Sequence, residues 1–148
     1  QPDMGLSVFA DQSFTKMAEY AALIAALDAL SMELGGTRAQ IFLGSGAVMN
    51  ACHALANPPA CYFKFPKAAE GGGALWDFAA TACLFAEAGA VATDIEGKAL
   101  TLNRPDSTWM NQRGVLFATS SSLAARITTI YRDWSEVSNP RGPGPPGI

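Results

Sequence analysis

The sequence is short of the residues from which most catalytic devices are built. It has one histidine, His53, so any Ser-His-Asp or Cys-His arrangement would have to run through it. Cys52 is its immediate neighbour, but adjacent residues on a helix do not face each other, so the two cannot act as nucleophile and base. Gly44-Ser45-Gly46 is not the Gly-x-Ser-x-Gly elbow of a serine hydrolase. A histidine packed among Cys52, Ala54 and Leu55 is the simpler reading. The three cysteines (Cys52, Cys61, Cys83) are odd in number, stand among apolar residues and lack any CxxC spacing. They read as reduced, buried thiols of a cytoplasmic protein, not as a disulfide framework or a zinc site. Charge is scarce as well: 16% of residues are charged, the formal net charge is −3, and no basic cluster interrupts it. That excludes a reader of nucleic-acid backbones. No apolar run approaches the roughly 18 residues a membrane span needs, and the amino end reads as no signal peptide. No P-loop or dinucleotide fingerprint is present either.

What the sequence does have is an apolar, alanine-rich interior, with 49% hydrophobic residues in 148. That is enough chain for one domain with a real core. Punctuation by glycine and proline divides it into alternating segments. Leu6–Phe9 is predicted as a strand, followed by Asp11-Gln12-Ser13 as cap candidates and an apolar helical period from Phe14 to Leu34 that stops at Gly35-Gly36. Arg38–Leu43 reads as a strand that runs into Gly44-Ser45-Gly46 and a helix to about Ala56. Ala60–Phe65 is a further strand after Asn57-Pro58-Pro59. A helix Asp77–Ala88, a hairpin of Ala90–Thr93 with Ala99–Leu102, a strand Gly114–Ala118 and a helix from Ser120 to about Trp134 complete the series. The expectation is an α/β domain over residues 1–137. In it, a mixed sheet of about five strands carries helices 14–34, 45–56, 77–88 and 120–134. A Pro/Gly-rich tail over 138–148 follows.

One stretch concentrates chemical potential. Glu70-Gly71-Gly72-Gly73-Ala74-Leu75-Trp76-Asp77 brings a carboxylate, through a glycine run, to the first turn of a helix. Free N–H groups and the helix dipole favour anions there, and glycines let backbone approach a ligand closely. A carboxylate beside such an end suits a hard cation such as Mg²⁺ bridging to phosphate, although an ordinary helix-start Asp has the same pattern. Lys64 and Lys67 stand just ahead of the run; such lysines are usually solvated, and they could also assist an anionic substrate. Gly44-Ser45-Gly46 is open to the same two readings, a tight turn or a ligand-facing loop.

Taken together, Glu70 seven residues before Asp77, Trp76-Asp77-Phe78-Ala79-Ala80, Glu87-Ala88-Gly89 and Asp94-Ile95-Glu96-Gly97 resemble the carboxy-terminal signature of the inositol monophosphatase superfamily. That superfamily includes inositol and sugar phosphatases and 3′,5′-bisphosphate nucleotidases. Gly44-Ser45-Gly46-Ala47 and Tyr62-Phe63-Lys64 resemble the family's Gly-Ser/Thr-x-Ala helix start and the strand after it. The match runs in consistent order over about residues 38–118. By this resemblance Asp77 is a ligand for Mg²⁺ and Glu70 binds substrate hydroxyls. Gly44 and Ser45 line the substrate pocket, and Ser13 lies where the family keeps a polar residue near the substrate.

The departures are informative. Gly89-Ala90 replaces Gly-Gly, and Ala47-Val48-Met49-Asn50 lacks the lysine that bisphosphate nucleotidases tend to carry there. The family's Asp-x-x-Asp-Gly-Thr motif and upstream glutamate do not occur, and paired-metal chemistry needs several carboxylates together. The resemblance therefore implies the substrate-side, carboxy-terminal half of a Mg²⁺-dependent phosphomonoesterase of a small polyol, sugar or nucleotide phosphate. Residue 1 is not methionine, which fits a chain cut from something longer. The expected partners are a phosphorylated small molecule, the missing amino-terminal half and, by an exposed apolar surface, a second copy in a homodimer. A non-catalytic remnant of the fold and a small-molecule binding domain that uses the Gly44 and Gly71 turns remain open beside it. On any of these readings the piece alone is expected to be inactive as a phosphatase.

Overall fold

The computed structural model describes residues 5–139. The lead before Gly5 and most of the Pro/Gly-rich tail lie outside those residues. The chain alternates strand and helix. β1 (Ser7–Ala10) is followed by a 3-10 turn (Gln12–Lys16), α1 (Tyr20–Glu33), β2 (Gln40–Leu43), α2 (Ala47–Ala56) and β3 (Ala60–Lys64). Then come α3 (Leu75–Glu87), β4 (Val91–Thr93), β5 (Val115–Ala118) and α4 (Ser121–Ser138). The strands form one five-stranded sheet in the order β2-β1-β3-β5-β4. β1 pairs in parallel with both β2 and β3, and β5 pairs antiparallel with both β3 and β4. This is the expected mixed α/β sheet.

Side-chain alternation explains why the sheet is covered on both faces. Val8, Ala10, Cys61, Phe63, Leu116 and Ala118 point to one side, where Leu23, Leu27 and Leu30 of α1 and Leu123 and Ile127 of α4 complete a core. Phe9, Ala60, Tyr62, Val115 and Phe117 point to the other, against Ala51 and Ala54 of α2 and Phe78 and Phe85 of α3. The apolar run Ala-Cys-Tyr-Phe is the signature of a strand buried on both faces, and β3 is buried at all four of those positions.

Two expectations fail for tertiary reasons. The period over Phe14–Leu34 is not one helix. Phe14 turns into the core from the 3-10 segment and packs edge-on against Tyr20 and Phe63. The chain then breaks at Glu19, which has φ = 53°. Ala18 gives its carbonyl to the Trp134 indole N–H of α4 at 2.7 Å, so the break is held from outside the segment. The hairpin of Ala90–Thr93 with Ala99–Leu102 also does not form. Its turn exists: Asp94 N–H donates to Lys98 O at 2.8 Å, and Asp94 Oδ1 accepts the N–H groups of Glu96 and Lys98. β4 pairs with β5 instead, and the following stretch holds on by side chains. Leu100 packs on the α2/α3 core and Thr101 accepts from Arg113. The helix bounds move slightly: α3 begins at Leu75, α2 at Ala47, and α4 runs on to Ser138.

The cysteine expectation is corrected in part. Cys61 is buried, Cys52 is half-buried and Cys83 is exposed on α3. Its apolar neighbours in sequence suggested burial, but Phe78, Thr81 and Phe85 are the residues that α3 turns inward.

Candidate functional site

β1 leads through α1 to β2 on one side, and α2 then carries the chain across to β3 on the other side of β1. Such a reversal opens a crevice beyond the carboxyl end of β1, and ligands in open α/β sheets bind at such points. Asp11, the residue directly after β1, sits at that end. A cleft of about 360 Å³ opens beside it. Asp11, Ser13, Lys64, Lys67, Gly71 and Asn111 contribute its polar wall, and Phe14, Phe63, Phe78 and Met110 its apolar one.

Asp11 is the hub of the site. Its Oδ2 pairs with Lys64 Nζ at 2.7 Å. Its Oδ1 accepts from Asn50 Nδ2 at 3.3 Å and from the Tyr62 hydroxyl at 3.4 Å. Asn50 Nδ2 also donates to Ser45 O at 3.0 Å, which ties the turn before α2 to the end of β1. Burial, helped by the negative charges of Asp11 and Asp77, pushes the Tyr62 phenol well above its ordinary value. Tyr62 is therefore a neutral hydroxyl that donates. Asp11 makes no side-chain cap bond to the 3-10 turn that it precedes, so the cap role read from sequence is not the one it plays.

Asp77 occupies the third position of α3. Its Oδ2 accepts the N–H of Ala74, the residue that caps the helix, at 2.8 Å, the acidic half of a capping box. The glycine before Ala74 is obligatory. Gly73 has φ = +127°, and a Cβ there would lie 2.6 Å from the Phe78 ring. The loop is fixed from the far side too: Leu75 N–H donates to Thr108 O at 2.8 Å and Met110 N–H to Gly73 O at 3.1 Å.

The site residues named from sequence are brought together only in part. Ser13 is exposed on the 3-10 turn and lines the cleft. Gly44 lies beside Gln12, and Ser45 lines a neighbouring cavity with Phe42 and His53. Glu70 is exposed on the glycine loop, outside the lining of the cleft, with no hydrogen bond or ion pair among the described residues. His53 is exposed and stacks on Phe9 at 5.7 Å. Sequence reasoning missed Asp11, Asn50 and Tyr62 as members of one cluster, and Asn111 as part of the cleft wall. The available signal was the position of Asp11 directly after the first strand of a strand–helix–strand unit.

The donor set does not make a complete magnesium site by itself. Among the described residues no three His, Cys, Asp or Glu side chains come together in a way that would hold a metal ion. Asp11 is already paired with Lys64, and Asp77 spends one oxygen on Ala74. Asp77 Oδ1 and the Glu70 carboxylate have no hydrogen-bond partner among the described residues.

An open mixed sheet with a polar cleft at its switch point defines the class: an α/β domain with a crevice at the carboxyl end of β1. Comparison with solved structures gives the particular fold. The chain is similar to an inositol monophosphatase from Anabaena (Nostoc) sp. PCC 7120, with TM-score 0.57 and 14% identity over 88% of this chain and 44% of that one. It is similar to inositol monophosphatase II from Staphylococcus aureus, with TM-score 0.56 and 14% identity over 88% and 43%. It is also similar to fructose-1,6-bisphosphatase of Leishmania major in its T-state, with TM-score 0.53 and 19% identity over 86% and 39%. The chain thus has the fold of part of an inositol monophosphatase, and it spans less than half the length of each of these structures. No protein-family model matches it, and no curated protein matches it by sequence. No helix among the described residues is long and apolar enough to cross a membrane.

Proposed function

We propose that this chain is the substrate-side, carboxy-terminal half of a Mg²⁺-dependent phosphomonoesterase acting on a small polyol, sugar or nucleotide phosphate. The observation that carries the reading is the shared fold, over most of this chain, with inositol monophosphatases and a fructose-1,6-bisphosphatase. Asp77 is the one metal-ligand carboxylate contributed from here, and the other ligands come from an amino-terminal half. Magnesium, when bound, supplies charge stabilisation to the phosphoryl oxygens. This chain's own residues hold and orient the substrate. Ser13 offers a hydroxyl from the cleft wall, Gly44 and Ser45 shape the turn tied to Asp11 by Asn50, and Glu70 reaches substrate hydroxyls from the glycine loop. The neutral Tyr62 hydroxyl and Asn50 hold Asp11 in place. The amino-terminal half, or a second copy in a homodimer, covers the exposed apolar residues of α2 and α3. The reduced cysteines accord with a cytoplasmic setting.

The test is a phosphatase panel on the complete protein with Mg²⁺ titrated. Asp77→Asn is expected to remove most Mg²⁺-dependent turnover with the fold intact, and unchanged activity in that variant would sink the assignment. Glu70→Gln is expected to change substrate preference more than metal dependence. The present chain alone is expected to show no appreciable turnover.

One observation favours a second reading. Both carboxylates near Tyr62 already have protein partners, as a non-catalytic module of the same fold would have. The reading frame ahead of Gln1 separates the two. An Asp-x-x-Asp-Gly-Thr there supports the enzyme, and a start codon close to Gln1 supports the module.

A further inference from the structure

The outer side of the α1/α4 layer carries a groove that no described residue fills. It has a volume of about 140 Å³ and runs between the start of α1 and the end of α4. Leu23 and Ile130, both buried, form its floor, and Trp134 and Val137 form its α4 wall. On the α1 side stand Ala22 and Ala26, side chains too short to close the gap. Trp134 is fixed in place. Its indole N–H donates to Ala18 O at 2.7 Å, and its ring centroid lies 4.8 Å from that of Phe65. With its one donor spent, Trp134 offers the groove only apolar ring surface. Val137 is 63% exposed at the end of the same wall.

The charged residues that line the groove, Glu19 and Asp133, are both acidic and both exposed. Neither carboxylate has a hydrogen bond or ion pair among the described residues, whereas Arg126 and Arg132 of α4 are matched with Glu33 and Glu96. The groove is therefore short of apolar cover and of a cation. Residues 140–148, which follow α4 directly, have both: four prolines, one isoleucine and a single charged side chain, Arg141. A proline-rich segment keeps an extended polyproline shape at little entropic cost, and grooves lined by aromatic rings recognise that shape. The reach suffices. Ile130 lies about 14 Å back along α4 from Asn139, at ~1.5 Å per helical residue. The segment 140–148 spans about 28 Å in polyproline form, which leaves length for a reversal. Asn139 has already left helical geometry, with φ −133° and ψ 66°, as a residue ahead of proline tends to. Covalent attachment gives this segment a high effective concentration at the groove, which favours it over a proline-rich stretch of another protein.

We propose that residues 140–148 turn back beyond Asn139 and occupy the α1/α4 groove of their own chain, with proline rings on Trp134 and Val137 and Arg141 facing Glu19 and Asp133. The strap covers apolar surface and supplies the cation that the two carboxylates lack. It stands apart from the phosphomonoesterase reading and uses none of the residues assigned there.

The experiment uses the 148-residue chain. NMR is expected to show proton contacts from Pro143, Pro145 and Pro146 to the Trp134 indole and to Val137, undiminished on dilution. Arg141→Glu should lower the ratio of docked to free segment about threefold, read from the Val137 amide shift, as loss of an exposed ion pair predicts. High salt should weaken docking in the parent chain and strengthen it in Arg141→Glu, where screening relieves repulsion. Asp133→Arg combined with Arg141→Glu should restore docking. Both positions lie outside the two cores, so these variants leave the fold intact as judged by the remaining amides. Absence of contacts between 140–148 and the groove would overturn the proposal, and an added proline-rich peptide binding there instead would assign the groove to another protein. Contacts seen only between labelled and unlabelled chains would give it to a second copy and overturn the intrachain strap. An Arg141→Glu spectrum with unchanged docking would overturn the charge pairing.

Discussion

The two helix layers of this sheet have similar inner faces and different outer ones. On one side, α4 turns Leu123, Ile127 and Ile130 inward and exposes Arg126, Thr129, Arg132, Asp133 and Glu136. Two of these are tied down: Arg126 pairs with Glu33 of α1 at 2.7 Å and Arg132 with Glu96 at 3.0 Å. On the other side, α3 turns Phe78, Thr81 and Phe85 inward and exposes Trp76, Ala80, Cys83 and Leu84. Its neighbour α2 has no charged side chain and exposes Val48 and Met49. Trp76 is 62% exposed, unusual for the largest apolar side chain. A helix with one polar stripe faces water, whereas one that is apolar all round belongs in an interior. Exposed charge dominates the α4 layer, with Met32 of α1 and Val137 of α4 as its large apolar exceptions, and exposed apolar side chains dominate the α2/α3 layer.

The sharpest way to break the comparison is to strike both inner faces. Phe85→Ala in α3 is expected to cost about 3–5 kcal/mol and Ile127→Ala in α4 about 2–5 kcal/mol, measured by urea unfolding. Both residues are 0% exposed, so a much smaller loss on the α3 side would mean that its inner face is not a core. Next comes Tyr62, which only the α2/α3 side buries. Its folded phenol titrates above the unfolded value of about 10, so its contribution is whole below that pH and is lost as the pH rises through it. Alkaline unfolding should therefore begin near there, lowering stability by up to about 1.4 kcal/mol per pH unit, and Tyr62→Phe should flatten that limb. A pH profile identical in the two proteins would count against the buried, neutral hydroxyl.

Smaller effects separate the outer faces. Trp76→Ser and Arg126→Ala should each change stability by within about 0.5–1 kcal/mol. Only Trp76→Ser should reduce self-association in sedimentation velocity. If both variants sediment like the parent chain, the exposed apolar face is not sticky and the contrast loses its meaning. The mildest probe perturbs nothing: a thiol reagent should modify Cys83 quickly and Cys61 only on unfolding. Burial pushes the Cys61 thiol far above its ordinary value, which leaves almost no thiolate to react.

Legibility varied with how local the decisive forces were. The apolar run of β3, the glycine stop after α1 and the start of α4 at Ser120, whose Oγ accepts Leu123 N–H at 3.2 Å, are short-range features, and all of them stand where the sequence put them. The split between the 3-10 turn and α1 was not legible, because Phe14 answers to Phe63 and Ala18 to Trp134, residues far away in sequence. The absent strand at Ala99–Leu102 failed for the same reason, since β5 arrives from beyond a long loop to take β4. In the site, Asp77 was singled out by local pattern and Ser13 by the family resemblance. The Asp11 cluster required knowing that β1, α2 and β3 end at one place.

The sequence by itself determined the alternation of strand and helix, the two-faced burial of the sheet and the glycine loop that admits Asp77 to a helix start. Each follows from side-chain period, backbone freedom or capping, and these act over a few residues. Only the tertiary structure decided the strand order, and with it that Asp11, Tyr62, Lys64 and Asn50 meet at the carboxyl end of β1. Only it decided that Lys67 is clasped by Asn111 and that both lysines converge over Gly72. Those contacts join residues up to 51 positions apart, and no local pattern encodes them; the packing of the two layers against one sheet brings them together.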